Sequence, residues 1–357
     1  MSVIELDETR LAAFGERIGG IVNDGLLALT ISIGHQTGLF DTMAELAPST
    51  SQEIADAAGL QERYVREALG ALVTGGIVEY DVEGGTYSLP PEHAALVTRA
   101  AGVNNYASFT QFVGMLGSVE QDIVHCFREG GGVSYAHYPT FHRVMAEQSK
   151  ETIDATLLEG TLDLVPGLRE RLEQGIDVAD VGCGSGYALN VLARAFPKSR
   201  FTGFDFSEEA IGNGRATAAE WGLDNLTFHV RDVTELVERE TFDFVTTFDA
   251  VHDQAAPAKV LSGIANAVRA DGVYLCVDIA ASSHVHENLE HPLGPAIYTI
   301  SMMHCMTVSL ALDGDGLGAM WGEQTATAML KDAGFTSIDP QRVEGDILNV
   351  FYVARKG

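Results

Sequence analysis

The sequence predicts a helical N-terminal half followed by an α/β domain with a mostly parallel sheet. Up to about residue 175, apolar residues recur with helical spacing, whereas from about residue 176 short apolar strands alternate with helices. That alternation is typical of a parallel sheet covered by helices. The 357 residues suffice for two domains with a connector, and the predicted boundaries are 1–100, 101–175 and 176–357.

The charge balance narrows the range of partners. The chain has 22 basic and 50 acidic residues, a net charge of −28, and 46% hydrophobic residues, which favours a soluble globular protein. Because nucleic-acid affinity depends largely on Lys and Arg displacing counterions, we expect neither nucleic acid nor an anionic membrane as partner.

The cellular location is predicted to be the cytoplasm. Four scattered cysteines without metal-like spacing predict free thiols in a reducing compartment. The acidic N-terminus does not resemble a signal peptide. The apolar stretch at 297–312 is too short to span a bilayer.

The N-terminal region follows a helix, turn, helix, hairpin pattern. Residues 9–45 are predicted to be helical, and Ser49 to Ser51 offer an N-cap for the next helix. A helix over 61–74 ends at a glycine pair, and IVEYDVEGGTYSL predicts a hairpin. This is the pattern of a winged helix. Its second helix pairs each arginine with a glutamate, which favours a dimerisation and substrate-shaping module over a DNA-binding one.

The helical connector is interrupted by GGG and then by VSYAHYPTFH. Aromatic residues in such a segment either pack the core or form a lid over a ligand. Tyr135, His137 and Phe141 are therefore candidates for a substrate pocket.

The most informative motif is VADVGCGSGYALNVLA, an apolar strand followed by a glycine-rich turn and a helix. Gly182, Gly184 and Gly186 allow a ligand to approach the backbone, and the helix N-terminus offers free N–H groups. A dinucleotide site requires G-x-G-x-x-G, but Tyr187 occupies the third glycine position. NAD therefore fits poorly.

Carboxylates follow the next two strands. Asp205 ends RFTGFD, 19 residues beyond Gly186, where it is suited to accept both hydroxyls of an adenosine ribose. Asp232 in FHVRDV is suited to accept from an adenine amine, with Val233 supplying a backbone N–H. The sequence therefore favours an adenosine-containing ligand.

In order and spacing, DVGCGSG, FTGFDFS, VRDV and FDFVTTFDAVHD resemble the motifs of class I S-adenosylmethionine-dependent methyltransferases. The resemblance implies a Rossmann-like seven-stranded sheet with an antiparallel last strand. It also implies S-adenosyl-L-methionine as cofactor and S-adenosyl-L-homocysteine as product. The implied cofactor-binding residues are Asp180, Gly182, Cys183, Gly184, Gly186, Asp205, Phe206, Asp232, Val233, Phe248 and Asp249.

The N-terminal segment GLFDTMAELAPSTSQEIADAAGLQERYVREALGALVTGGIVEY resembles the dimerisation domain of small-molecule O-methyltransferases. This resemblance implies a homodimer in which the partner's N-terminal segment helps to close the pocket. It also implies a small-molecule acceptor methylated at an oxygen.

The segment AVHDQ places His252 on the His-Asp-Trp motif of that family, with Gln254 in place of the tryptophan. The resemblance implies that His252 deprotonates the acceptor hydroxyl, and an imidazole suits that role. Two alternatives stay open: His252 contacts only the cofactor, or the protein is a cofactor-binding regulator without turnover.

Histidines also occur in two further segments. In TISMMHCMTVSL, Met302, Met303 and His304 are either core or a wall of the substrate pocket. The H-x-H-x4-H run beginning at His284 lacks a carboxylate set, and we expect no metal.

Overall fold

A computed structural model describes residues 6–344 and 346–357. The chain divides into two compact units, one ending at Gly117 and the other running from Ser118 to Gly357. The predicted connector, 101–175, is therefore shared between the two units.

The N-terminal unit is mainly helical, as predicted. Its helices are α1 (Glu8–Gln36), α2 (Leu39–Glu45), α3 (Ser51–Ala58), α4 (Glu62–Thr74), α5 (Pro91–Val97), α6 (Tyr106–Phe109) and α7 (Gln111–Gly117). Its strands are β1 (Glu79–Asp81) and β2 (Thr86–Ser88), which pair antiparallel. A 3₁₀ helix covers Arg99–Asn104.

The winged-helix pattern has local causes. Thr50 caps α3 and forms a capping box with Glu53, which satisfies two N–H groups at the start of the helix. Gly59 ends α3 at φ +68°, a conformation that favours glycine. The apolar faces of α3 and α4 bury Ile54, Leu69 and Leu72, which are at most 1% exposed.

Helix α1 differs from the other helices because most of its apolar side chains are exposed. Leu11, Phe14, Ile18 and Val22 are 56%, 63%, 44% and 56% exposed. By length and composition α1 is also able to span a membrane, although core helices of soluble proteins pass the same test. This apolar face is unpartnered in the described part of the single chain.

The second unit begins with helices and ends with the sheet. The helices are α8 (Glu120–Glu129), α9 (Phe141–Thr156), α10 (Leu168–Gln174), α11 (Tyr187–Ala195), α12 (Glu208–Glu220), α13 (Pro257–Ala267), α14 (Gly294–Ile300), α15 (Met306–Leu310) and α16 (Gly322–Asp332). Short 3₁₀ helices cover Tyr135–His137, Leu162–Leu164, Val233–Glu235 and Val285–Asn288, and π-helical turns cover Leu157–Thr161 and Ser301–Cys305.

Seven strands form the sheet. They are β3 (Asp177–Val181), β4 (Arg200–Asp205), β5 (Leu226–Val230), β6 (Phe242–Phe248), β7 (Val268–Ile279), β8 (Ser337–Gln341) and β9 (Asn349–Arg355). Their order is β5-β4-β3-β6-β7-β9-β8, and β9 runs antiparallel to both neighbours. The predicted Rossmann-like sheet with an antiparallel last strand is confirmed.

The strand order determines where a ligand binds. Strands β3, β4 and β6 are parallel neighbours, so their carboxyl ends lie along one edge of the sheet. Hydrophobic clusters cover both faces: one contains Val181, Val245 and Tyr274, and the other contains Val178, Phe244 and Leu275. Because both faces are buried, loops at the strand ends are the available places for polar chemistry.

Candidate active site

The glycine-rich turn after β3 is held by its neighbours. The N–H groups of Gly182 and Cys183 both donate to the carbonyl of Phe204, at 2.8 and 3.0 Å. Gly186 has φ +61°, and a Cβ there would lie 2.2 Å from the Phe228 ring. The turn therefore requires glycine at position 186 for both conformation and space.

Asp205 joins this turn to the end of β4. One carboxylate oxygen accepts from the Gly184 N–H at 2.8 Å, and the other accepts from the Ser207 N–H at 2.8 Å. Burial raises the pKa of Asp205, and these backbone donors partly offset the increase. The carboxylate is thus fixed at the edge of the cavity that the turn surrounds.

Most predicted cofactor residues line this one cavity. They are Asp180, Gly182, Cys183, Gly184, Asp205, Phe206, Val233, Phe248 and Asp249. Gly186 shapes the turn without lining the cavity. The carboxylate of Asp232 accepts from the Thr234 N–H at 2.8 Å, and Asp232 is absent from the described lining, so its adenine contact stays a prediction.

Helix α9 supplies a wall of which the sequence identified only Phe141. Phe141, Met145, Ser149 and Ile153 all line the cavity. Their spacing of four places them on one face of the helix. The spacing of these residues is the sequence signal for this wall, but on sequence alone it is indistinguishable from ordinary helix packing.

Two carboxyl groups, buried Asp180 and half-buried Asp249, lie at the ends of β3 and β6. Asp180 accepts from the Thr246 hydroxyl at 2.9 Å, and burial raises its pKa to about 7. Burial, followed by the nearby Asp278 charge, raises the pKa of Asp249 to about 7. Asp249 has φ +50° and a buried oxygen without a hydrogen-bond partner among the described residues. That oxygen is suited to accept from a cationic ligand group.

His252 forms a buried pair with Asp278 at the end of β7. Its Nδ1 lies 2.8 Å from Asp278 Oδ1, and the two residues are 4% and 0% exposed. Burial alone would lower the pKa of His252, but Asp278 and then Cys305 raise it well above its usual range. His252 is absent from the described lining of the donor cavity, whereas Asp249 and Asp253 line it.

The same pair bears on metal binding. Ligand atoms of Asp249, His252 and Asp278 lie within 4.8 Å of one another, a spacing that would suit a metal ion. The hydrogen bond pairs His252 Nδ1 with Asp278 Oδ1, whereas Asp278 Oδ2 and Asp249 Oδ1 are buried without a hydrogen-bond partner among the described residues. In the H-x-H-x4-H run, His291 instead approaches the Ala280 carbonyl at 3.0 Å.

An aromatic cluster borders the site on the other side. His304 stacks on Phe141 with ring centroids 4.0 Å apart and meets the edges of Tyr135 and Tyr138 at 5.2 and 4.8 Å. Burial lowers the pKa of His304 to about 3, so its ring is neutral. The structure therefore brings Tyr135, Phe141 and His304 together, and their role in a substrate pocket stays a prediction.

Of the other predicted wall residues, His137 and Met302 lie elsewhere, and Met303 contacts the cluster through its backbone. His137 is exposed and pairs with Asp122 at 2.8 Å. Met302 lines a separate cavity beside α8, and the carbonyl of Met303 accepts the Tyr138 hydroxyl. Met302 and His304 therefore lie on different faces of the same helical segment, and the composition of TISMMHCMTVSL does not reveal which face borders the site.

Together these features define a class of protein. The sheet order, the glycine-rich turn after its first strand, the carboxylate after its second strand and the cavity between them form the fold and donor site of class I S-adenosylmethionine-dependent methyltransferases.

Comparison with known proteins confirms this class. Residues 25–99 match the Rv2258c-like winged HTH domain, and residues 172–334 match a methyltransferase domain. The chain therefore carries a winged-helix domain followed by a methyltransferase domain.

The curated proteins that are similar in sequence to this chain include methyltransferases. The chain is 30% identical over 118 residues to a malonyl-[acyl-carrier protein] O-methyltransferase of Bacillus cereus, covering 32% of this chain and 37% of the relative. It spans less than half the length of the curated relatives it matches.

Two solved structures share the whole fold. One is a putative O-methyltransferase of Nostoc punctiforme, with TM-score 0.73 and 17% identity over 95% of this chain and 98% of that one. The other is human N-acetylserotonin methyltransferase in complex with SAM, with TM-score 0.68 and 15% identity over the full length of both chains.

Proposed function

We propose that this protein transfers a methyl group from S-adenosylmethionine to a hydroxyl oxygen of a small acceptor. The observation that carries the proposal is the donor cavity, where the glycine-rich turn, Asp205 and Asp249 converge. Bound S-adenosylmethionine would supply a methyl group on a positively charged sulfonium. The residues present fit this group, because the turn admits a ligand against the backbone and Asp249 offers an unpartnered carboxylate oxygen to a cation.

The chain's own residues would mainly position the methyl donor and the acceptor and remove the acceptor's proton. Asp205 is placed to accept the ribose hydroxyls, which fixes the donor relative to the ends of β3 and β6. Holding two reactants in line lowers the barrier by removing their translational and rotational freedom. The walls from α9 and the aromatic cluster would exclude water from the methyl group.

His252 is proposed to accept the acceptor's hydroxyl proton. Asp278 at Nδ1 orients the ring and stabilises its cationic form. Without a neighbouring positive charge, the raised pKa of His252 favours the protonated ring, which is unable to accept a proton. A bound sulfonium would lower that pKa, because two nearby positive charges disfavour each other.

The acceptor is proposed to be uncharged. Four carboxyl groups line the cavity, from Asp180, Asp205, Asp249 and Asp253, and the described lining contains no Lys or Arg. A carboxylate acceptor, such as the malonyl group named for the Bacillus relative, would be repelled there. A neutral phenol or alcohol avoids that repulsion.

The direct test is isothermal titration with S-adenosylhomocysteine followed by a screen with labelled S-adenosylmethionine. The screen pairs each phenol or alcohol with the carboxylic acid of matching shape. Binding and methylation of hydroxyl compounds are expected, whereas absence of binding would overturn the proposal. Methylation of acids alone would overturn the neutral-acceptor assignment.

A second candidate function is cofactor binding without turnover. His252 is buried and absent from the described cavity lining, which favours this candidate, because a base must reach its substrate. Binding of S-adenosylhomocysteine without methylation across the whole panel would support this candidate.

We also propose a homodimer that forms through the N-terminal unit. The exposed apolar face of α1, including Phe14, Ile18 and Val22, would be covered by a second copy. Light scattering after size exclusion should give a dimer for the native chain and a monomer for Ile18→Glu. A native monomer that instead binds lipid vesicles would contradict this proposal and favour a membrane role for α1.

Location and DNA binding complete the proposal. We propose a cytoplasmic protein, and the free state of all four cysteines is consistent with a reducing compartment. We propose no nucleic-acid partner, on the net charge of −28. A mobility shift with random DNA at low salt would contradict that statement.

A further inference from the structure

Tyr135 contacts three walls of the site at once. Its ring lies 5.4 Å from Phe206 on the donor side, 5.5 Å from Phe141 on α9 and 5.2 Å from His304, measured between centroids. Its hydroxyl donates a hydrogen bond to Asp253. Burial, and then the Asp253 charge, raise the pKa of Tyr135 well above its usual range, so the phenol keeps the proton it donates.

Asp253 is fully engaged by this bond and one other. Its second carboxylate oxygen accepts from the Gln254 side-chain amide at 3.2 Å. The same amide nitrogen donates to the carbonyl of Ala250 at 2.7 Å. The turn that carries His252 is therefore tied together by Tyr135, Asp253 and Gln254.

The segment that presents Tyr135 is itself fixed. A Cβ at Gly132 would lie 2.0 Å from the Thr307 carbonyl oxygen, so the backbone packs directly on α15. The Val133 N–H donates to the Thr307 hydroxyl at 2.8 Å, and the Tyr138 hydroxyl donates to the Met303 carbonyl. Anchors on both sides of Tyr135 make it a rigid point against which the turn is held.

We propose that Tyr135 is a positioning residue that holds the His252 turn through Asp253 and aligns the donor and acceptor walls with its ring. This role rests on the proposed methyl transfer. It also accounts for Gln254, which stands where the resembled family has tryptophan and here ties Asp253 to the carbonyl of Ala250.

Substitutions separate the hydroxyl from the ring. Tyr135→Phe and Asp253→Ala should each lower kcat about tenfold, the effect of losing a hydrogen bond to a charged group, with little change in the KM for S-adenosylmethionine. The double variant should be no slower than Asp253→Ala, because that substitution already removes the bond to Tyr135. Asp253→Asn should restore part of the rate when Tyr135 is present, since its amide oxygen still accepts from the phenol, but not in Tyr135→Phe.

A second measurement needs no acceptor. Amide hydrogen exchange in residues 250–254 of the full chain should increase in Tyr135→Phe and Asp253→Ala. The control is Tyr298→Phe, which removes a hydroxyl bonded to Asn288 at 3.1 Å, outside the described cavity lining, and should leave this segment unchanged.

The outcomes distinguish the two proposals. Unchanged exchange in Tyr135→Phe, or additive kinetic effects in the double variant, would overturn the role of Tyr135. Failure to bind S-adenosylhomocysteine would overturn the proposed function, while the exchange measurement would still decide whether the turn is held as described.

Discussion

The donor side of this site, which contains the glycine-rich turn and Asp205, is built differently from the proposed acceptor side, which contains Tyr135, His252 and Asp253. The donor side is formed by consecutive strand ends, where backbone N–H groups of one turn meet Asp205, 21 positions from Gly184. The acceptor side is formed by side chains from separate segments, and Tyr135 and Asp253 are 118 positions apart. Local backbone geometry therefore dictates the first, whereas long-range packing assembles the second.

The largest expected effect is on the acceptor side. His252→Gln should lower kcat by about a thousandfold, within the range for loss of a general base, and leave S-adenosylhomocysteine binding intact. Because the pKa of His252 is raised, native kcat/KM should increase with pH until the ring loses its proton. Steady-state rates measured from about pH 6 to about pH 10, a range chosen to include the titration of a histidine with a raised pKa, would test this. A variant that keeps native turnover would remove His252 from the mechanism.

On the donor side, Asp205→Ala should weaken S-adenosylhomocysteine binding by about a hundredfold, from the loss of charge-assisted hydrogen bonds. Asp232→Ala is the matched comparison, because its carboxylate bonds Thr234 and is absent from the described cavity lining. Titration calorimetry on both variants decides the prediction. An equal loss in Asp232→Ala would support its predicted adenine contact and weaken the contrast.

The donor side also contains Asp180, a carboxyl group whose burial disfavours its charged form. Asp180 is 2% exposed and its pKa is raised to about 7, so the folded state binds a proton that the unfolded chain has already lost above pH of about 4. Loss of this proton from Asp180 should therefore lower the free energy of unfolding by up to about 1.4 kcal/mol per pH unit as the pH rises towards 7. Asp180→Asn should flatten this slope in urea titrations, whereas the exposed Asp224→Asn should not. Identical slopes in both variants would contradict it.

The smallest expected effect concerns Gln254. Gln254→Ala removes neutral hydrogen-bond donors within the turn and should lower kcat about threefold, without altering S-adenosylhomocysteine affinity. Stopped-time assays beside the calorimetry would measure both. A larger loss of affinity than of rate would place Gln254 on the donor side.

Nine of the eleven residues that the sequence predicted for the cofactor line the donor cavity, because the requirements of that turn are local. Gly186 needs its left-handed backbone beside Phe228, and a parallel strand must end where Asp205 stands. The N-terminal helices and the β1–β2 hairpin were predicted for the same reason, since periodicity, caps and turn residues act over a few positions.

The acceptor side was predicted only in part. The sequence singled out Tyr135 and His304 by residue type, but gave equal weight to His137 and Met302, which lie outside the cluster. Apart from Phe141, it missed the cavity-lining residues of α9, because an apolar helical face has the same pattern whether it covers a core or a ligand.

The sequence by itself determined the class of fold and the donor turn, because glycine conformations and strand periodicity are set by neighbouring residues. Only the tertiary structure decided that His252 pairs with Asp278 and that Tyr135 holds Asp253. These contacts depend on how β6, β7 and the segment before α9 pack together. That packing is a property of the whole sheet and its covering helices, and no short stretch of sequence encodes it.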